Sequence, residues 1–445
     1  MANKSNPVFR QISLAAEALE PELVSIRRDL HRYPELAWTE MRTSSLIARF
    51  LKSIGMDEIL IGDQVCDRES RMGVPADDIL EKSYLLAQEH GGDPAYLPFT
   101  KDGMTGVIGI LRCGEGPVIG MRFDIDALPV FEDTKDAHLP TAEGFRSVYD
   151  GVMHACGHDG HATTGLGVAK ILCGMREKLH GTVKFIFQPA EEGVRGAKSI
   201  VTKGHLDDVQ ILLGAHMGGD AAIGANTIGI GTSRTLATTK MDVTFRGKAA
   251  HAGFAPDAGN NAMLAMATAV LNLQAIPRYG AGPTRINVGK VVAGTSRNVI
   301  CDRATMEMEV RGLTSEANAY MTEYSERIID SAAKMHACTY SIKLQGEAKG
   351  DCNSTELMDR VLTICRDKMD MCVMEMPDNP NGGASEDYSF MSERVRKLGG
   401  QSCYFMNLNA CAGPIHNPTF DFQESALVHG VKAFSAIAAD FLIQD

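Results

Sequence analysis

Apolar runs of strand length alternate with helical stretches along this chain, and several of them end on acidic or imidazole side chains. Thr105 to Leu111 and Pro117 to Phe123 read as strands, and the second runs into Asp124-Ile-Asp126. Helical residues follow from His161 to Leu179. Thr182 to Phe187 then runs into Gln-Pro-Ala-Glu191-Glu192, and Val209 to Leu213 runs into Gly-Ala-His216. Apolar strands separated by helices predict an α/β domain with a mostly parallel central sheet. In such a sheet the ligand crevice lies beyond the carboxyl ends of the strands. Asp124, Asp126, Glu191, Glu192 and His216 all fall there, so one crevice would gather them.

The remaining pattern divides the chain. Leu23, Ile26 and Leu30 share a helix face that ends at Tyr33-Pro34, and Ile47, Phe50, Leu51 and Ile54 share another that ends at Gly55. The stretch from about Gly62 to Asp102 is irregular and reads as an insertion, helical near Asp78 to Glu89. From Leu236 the order is a strand with Met241, Val243 and Phe245 on one face, then a helix at 260–276. Strands at 286–292 and 304–310, a helix at 315–337 and a strand at 339–344 follow. This β-α-β-β-α-β order is the split unit of ferredoxin-like domains. Residues 236–346 therefore read as a domain inserted into a discontinuous one made of 1–235 and 347–445. A chain of 445 residues is long enough for two cores.

Composition narrows the function. The chain is 44% hydrophobic and 22% charged, a globular balance. Its net charge of -12 disfavours nucleic acid and anionic membranes as partners. Eleven cysteines without a regular framework argue against a disulfide scaffold and for a reducing cytoplasm. Met1 to Arg10 is polar, and no uninterrupted apolar run reaches membrane-spanning length.

The chemistry concentrates in Gly151-Val-Met-His-Ala-Cys-Gly-His-Asp-Gly-His161, which places Cys156 and the imidazoles of His154, His158 and His161 in one glycine-containing loop. A lone cysteine is usually a buried apolar residue and a lone histidine a satisfied one. Here they stand with Glu191-Glu192, His216 and, near the C-terminus, His416. Such donors suit zinc-like divalent metals, and a neighbouring carboxylate suits metal-assisted hydrolysis. His154 and His161 are better placed to hold the loop or to support the ligands. Adjacent residues on an extended segment face opposite ways. One of Glu191 and Glu192 can then bind metal while the other faces the attacking water. The bland reading of that pair is a solvated acidic turn. Asp124 and Asp126 share a face, and either orient a ligand imidazole or cap the next element.

The chain resembles the M20 metallopeptidase family, in the amidohydrolase branch that includes hippurate, N-acyl-amino-acid and indole-acetyl-amino-acid hydrolases. The resemblance is carried by Arg27-Arg-Asp-Leu-His-Arg-Tyr-Pro-Glu35, Met121-Arg-Phe-Asp-Ile-Asp-Ala-Leu-Pro129, Met153-His-Ala-Cys-Gly-His-Asp-Gly-His161 and Phe187-Gln-Pro-Ala-Glu-Glu-Gly193. It continues through Gly214-Ala-His216, Ala250-His-Ala-Gly253, Arg297-Asn-Val-Ile300, Glu309-Val-Arg311, Ser385-Glu-Asp-Tyr388 and His416-Asn-Pro418. It implies a phosphorylase/hydrolase-like catalytic domain and an inserted lid and dimerisation domain. It also implies a site for two divalent ions, manganese or zinc, held by Cys156, His158, Glu192, His216 and His416, with Glu191 as general base and Asp124 and Asp126 in support. His251 resembles the lid histidine that stabilises the oxyanion, usually across the dimer. Asn298 and Arg311 resemble the groups that hold the substrate carboxylate.

Two departures bear on substrate and metal. Cys156 stands where the wider family has a bridging aspartate. Arg297 stands where many relatives in the branch have an aromatic residue, and suits a second carboxylate as in glutamate or aspartate; otherwise it is a surface arginine. Ser70-Arg-Met-Gly-Val-Pro75, Ala237-Thr-Thr-Lys240 and Ser296-Arg-Asn-Val299 resemble members that act on p-aminobenzoyl-glutamate. That substrate is the first expectation, and an acyl-aspartate such as indole-acetyl-aspartate the second. Arg71 is the next candidate for the side-chain carboxylate. The resemblance implies a second, different subunit as an option. The competing class is a catalytically silent metal-binding or partner-binding subunit on the same fold, which the presence of every proposed ligand and the base disfavours. No Gly-x-Ser-x-Gly elbow occurs, which excludes that serine-hydrolase class.

Overall fold

The computed structural model describes residues 7–219, 222–231, 235–377 and 383–443. It forms two compact units. One comprises Met1–Ser233, Cys352–Asp378 and Phe390–Asp445, the other Arg234–Asp351 and Asn379–Ser389.

The first unit opens with α1 (Pro7–Ala18), α2 (Glu20–Arg32) and α3 (Met41–Ser53), followed by β1 (Glu58–Ile61) and α4 (Asp77–Glu89). Then come β2 (Val107–Arg112), β3 (Val118–Asp124), the short α5 (Leu139–Ala142) and α6 (His158–Gly174). β4 (Thr182–Gln188), α7 (Ala197–Thr202), β5 (Ile211–Gly218) and β6 (Thr227–Ile230) complete its first part. α1 lies where the sequence suggested only a polar terminus. Its buried residues, Phe9, Ile12 and Ala16, are spaced for one helix face. The insertion is more than α4, since Met41, Leu80, Ala87 and Leu97 form a small core of their own.

The second unit runs β7 (Ala237–Arg246), α8 (Ala262–Gln274), β8 (Thr284–Ala293), β9 (Arg303–Gly312), α9 (Ser315–Met335) and β10 (Thr339–Ala348). Its sheet has the order β10-β7-β9-β8, and every neighbouring pair is antiparallel. Both helices cover one core, built on Val243, Phe245, Ala265, Met306, Met321 and Ile329. β8 is an edge strand.

The chain then supplies α10 (Thr355–Thr363), β11 (Val373–Glu375), α11 (Tyr388–Lys397), β12 (Gln401–Leu408) and α12 (Ser425–Leu442). The large sheet has the order β1-β2-β4-β3-β5-β12-β6-β11. Its centre, β4-β3-β5-β12, is parallel, whereas β1-β2, β2-β4 and β12-β6 are antiparallel. β6-β11 is parallel as well, so the sheet is mixed, with a parallel centre and antiparallel pairs on either side of it. The short turn 113–117 can only reverse the chain, so β2 opposes β3, and the longer connection through α6 makes β3 and β4 parallel.

α6 starts at His158, three residues earlier than expected, so His158 joins His161 on its first turn and does not lie in a loop. It is buried along nearly its whole length, and its glycines permit that. A Cβ at Gly160 would lie 2.5 Å from Met217 Sδ, and one at Gly165 2.6 Å from the Phe123 ring. Close packing here outweighs the roughly 1 kcal/mol that a helical glycine costs. Among the described residues α12 is long and apolar enough to cross a membrane, but 72% of it is buried inside the fold. The Phe434 ring on α12 packs at a tilt against Phe123 and Phe405, with centroids 5.0 and 4.9 Å away, as in a core helix.

Candidate metal centre

The site forms in the first unit, where the parallel strands end. β3 delivers Asp124 and, just beyond, Asp126. The turn after β4 delivers Glu191 and Glu192, and the end of β5 delivers His216. Cys156 lies in the turn before α6, and His158 opens that helix. His416 comes from the segment between β12 and α12.

The side chains converge. Cys156 Sγ lies 3.3 Å from His216 Nε2. His158 Nε2 lies 4.0 Å, and His416 Nε2 3.5 Å, from the same Glu192 oxygen. Donor atoms of Cys156, His158 and His216 all lie within 4.8 Å of one another, as do those of Cys156, Glu192 and His416, and those of His158, Glu191 and Glu192. Cys156, His158 and Glu192 thus each belong to two of these overlapping groups. His158 Nε2 and Glu192 Oε1 are buried without a hydrogen-bond partner. Each such orphan costs about 1–3 kcal/mol. A cation between them would satisfy both, and thiolate, imidazole and carboxylate suit a borderline divalent ion.

Electrostatics favour the ligating forms. Burial pushes the Cys156 thiol up, but His216, His158 and His416 outweigh burial and bring it down to about 6. The thiolate is therefore the main form at neutral pH. Burial opposes a charge on His216, yet Cys156 raises that imidazole to about 9. Hydrogen bonds to Cys156 and Glu192 raise His416 to about 10. Protons now shared between thiolate and imidazoles would leave when a metal binds.

Supporting carboxylates divide the work. Asp126 Oδ1 lies 3.2 Å from His158 Nδ1 and accepts the Glu191 N–H at 3.0 Å, while Oδ2 accepts the Glu192 N–H at 2.8 Å. One buried carboxylate therefore orients an imidazole and holds the Glu-Glu turn. Asp124 pairs with Arg122 at 2.6 Å and accepts from His161 Nδ1 at 2.5 Å. His161 Nε2 in turn accepts the Met217 N–H at 2.7 Å. Both its nitrogens are engaged, which makes it a neutral brace for the end of β5 and leaves no lone pair for a metal. His154 is buried with neither nitrogen bonded to protein, and burial pulls it down to about 3.

The Glu-Glu turn is strained, with Ala190 at φ 54° and Val194 at φ 61°. Such conformations persist where their surroundings over-determine them. Glu40, which sequence reasoning missed, accepts the Ala190 N–H at 2.8 Å and the Thr105 hydroxyl at 2.7 Å. It follows Trp38-Thr39 at the mouth of α3 with no local pattern to mark it.

The other proposed residues belong to the second unit. His251 is exposed, and its Nδ1 accepts the N–H groups of Gly253 and Phe254 at 3.2 and 3.0 Å. That leaves the proton on Nε2, as a donor. His251 bridges Val299, which brings its loop beside Arg297 and Asn298. Asn298 Oδ1 accepts from Ser296 Oγ at 2.7 Å, and Arg297 is exposed. Arg311 forms a two-bond fork with Glu309 at 2.9 and 3.0 Å. Arg71, in the first unit, donates to the carbonyls of Asp102 and Gly103 at 2.7 and 3.0 Å and lies over Trp38, so it anchors the insertion.

A buried thiolate, imidazoles and paired carboxylates at the carboxyl ends of parallel strands define a candidate metal-binding site of a metal-dependent hydrolase. The comparisons with known proteins agree. Peptidase family M20/M25/M40 matches residues 120–440. The chain is 38% identical to an indole-3-acetyl-aspartic acid hydrolase of Enterobacter agglomerans, over 95% of this chain and 96% of that one. It is 37% identical to one subunit of the p-aminobenzoyl-glutamate hydrolase of Escherichia coli K12, over 95% and 97%. Among solved structures, an aminobenzoyl-glutamate utilization protein from Klebsiella pneumoniae superposes with a TM-score of 0.81 at 32% identity, covering 98% of both chains. The Bacillus subtilis YXEP protein, a dinuclear metal-binding peptidase, does so with 0.66 at 28% identity, covering 96% and 99%. The chain belongs to peptidase family M20/M25/M40, whose members hydrolyse amide bonds.

Proposed function

We propose that this chain hydrolyses the amide bond of N-acyl and N-aroyl amino acids, with p-aminobenzoyl-glutamate first among its substrates and indole-acetyl-aspartate second. The observation that carries the reading is the convergence of Cys156, His158, Glu192, His216 and His416 around buried, unpartnered donor atoms, with Glu191 adjacent. The names of the two relatives support the substrate class. Two divalent ions, manganese or zinc, held by those side chains would polarise the amide carbonyl and acidify a water. Glu191 takes the proton of the attacking water and hands it to the amine nitrogen as the C–N bond breaks. His251 donates from Nε2 to the oxygen that gains charge. Asn298 and Arg311 hold the α-carboxylate, which requires Arg311 to share its fork with Glu309 or to leave it. Assaying acyl-glutamates, acyl-aspartates and neutral acyl amino acids after metal loading tests the reading.

Arg297 is read as the contact to the side-chain carboxylate. A charge-assisted bond is worth about 1.5–3 kcal/mol when desolvated, and an exposed pair about 0.2–1 kcal/mol. Arg297→Ala is expected to lower kcat/KM for acyl-glutamate about tenfold more than for acyl-alanine. Equal losses for both substrates would make Arg297 structural.

The second unit is read as a ferredoxin-like lid and dimerisation domain, supported by its strand order. Its edge strand β8 exposes Val291 and Val292, and α8 exposes Leu264 and Leu271. An uncovered edge strand with apolar side chains invites pairing with another chain, here a second copy. By the family resemblance, His251 acts in the partner's site. Mixing His251→Ala with Glu191→Gln protein is then expected to restore part of the activity, because each mixed dimer holds one intact pair. No recovery despite proven subunit exchange would put His251 in its own chain's site or in none. Two relatives carry the name of one subunit of a hydrolase, which supports a second, different chain in the active assembly. Eleven free cysteines suit a reducing cytoplasm.

A further inference from the structure

Arg27 lies on α2, far along the chain from every proposed ligand, yet its side chain is fully buried. Its guanidinium sits 5.2 Å from the Phe145 ring and 4.4 Å from the Phe422 ring. Nε donates to Asp159 Oδ2 at 2.9 Å, and Nη2 donates to Asp421 Oδ1 at 2.6 Å. Nη1 lies 3.5 Å from Glu424. A buried cation is costly unless it is paired, and this one is paired in several directions.

What it joins gives the contacts meaning. Asp159 directly follows His158 in the first turn of α6. Asp421 lies on the segment that carries His416. That segment is fastened there, because the Ala412 N–H donates to Asp421 O at 2.8 Å and Cys411 bridges Phe422. His416 has a left-handed backbone, φ 63°, and a half-exposed side chain, and its N–H donates to Ala155 O at 2.7 Å. A histidine in that conformation needs its surroundings to hold it. His31, one turn along α2, braces the same Asp159 oxygen with Nδ1 at 2.8 Å and reaches Glu132 with Nε2 at 2.9 Å.

We propose that Arg27 is a positioning residue for the metal centre, holding His416 in register with His158 by clamping Asp421 to Asp159. The inference rests on reading those two histidines as metal ligands. A lysine at 27 keeps the charge but lacks the planar fork that reaches two carboxylates at once. An asparagine at 421 keeps the shape and loses the ion pair, while the Arg27–Asp159 bond stays.

The test titrates manganese and zinc, against a competing chelator, into the full-length wild type, Arg27→Lys, Asp421→Asn and the double variant. Thermal unfolding of the metal-free proteins is followed in parallel. Supporting contacts to metal ligands typically set affinity by about 10- to 100-fold. Each single variant is therefore expected to weaken one of two metal sites about tenfold or more. The double variant should be no weaker than the worse single, because both break one link. A folded variant that binds both ions as the wild type does, even with a lower Tm, overturns the proposal and leaves Arg27 a packing residue. If Arg27→Lys does not fold, Asp421→Asn decides by the same criterion. A wild type that takes up no metal would overturn the metal reading itself.

Discussion

Glu191→Gln is expected to lower turnover by a factor on the order of 10² or more while metal content stays near that of the wild type. The backbone of residue 191 is set by its N–H bond to Asp126 and by the tight turn between Ala190 and Val194. An amide of the same shape fits that turn but cannot accept the water's proton. Glu192 remains, with its Oε1 facing His158 and His416, so the side chains read as metal ligands stay in place. Elemental content and kcat measured on one preparation decide the matter. Near-normal turnover would remove the base from Glu191, and loss of metal together with rate would make Glu191 a ligand instead.

Cys156→Ser should behave differently, with metal occupancy and rate falling together. The thiol is buried, 3.3 Å from His216 Nε2, and is brought to about 6 by the imidazoles around it. It can therefore bind as a thiolate at neutral pH. A serine hydroxyl stays protonated and is a poor ligand for a borderline ion. A fall of about tenfold or more in metal affinity is expected, on the scale seen when the surroundings of a metal ligand are changed. Cys156 also belongs to two of the three overlapping donor groups, so its loss should weaken both ions. Full occupancy in the serine variant would reduce Cys156 to a core residue.

These two variants separate the roles of side chains that local sequence alone left open. An apolar run reports that a strand is buried and where it ends. This is why Asp124, Glu191 and His216 were legible as crevice residues from the sequence. It does not report strand direction, which the connection decides. The run that forms β2 reads as a strand without its antiparallel direction, and β1, β6 and β11, of four, four and three residues, are too short to carry a pattern. His158 reads as a loop residue because glycines flank it, with the helix beginning only at His161. Gly157, at φ 87°, is instead the residue that turns the chain into α6. Which imidazoles could bind metal was legible only in outline. His161 drops out because Met217 N–H occupies its Nε2, a contact between residues 56 positions apart. The Arg27 clamp joins residues 132 and 394 positions away, and no periodicity or local motif encodes a contact of that range. The Asp126 cradle was half visible. Its spacing from Asp124 placed it in the crevice, but its hold on the Glu-Glu turn depends on how β3 and β4 pair.

The most direct test of the central claim is one assay on the full-length chain. The protein is stripped of metal and reloaded with manganese or zinc. Release of p-aminobenzoate from p-aminobenzoyl-glutamate is then followed, with indole-acetyl-aspartate and acyl-alanine alongside. No turnover is expected before loading. Cleavage should appear as two ions bind per chain, faster for the acidic amino acids than for alanine. A protein that binds two ions and cleaves none of the three would contradict the account.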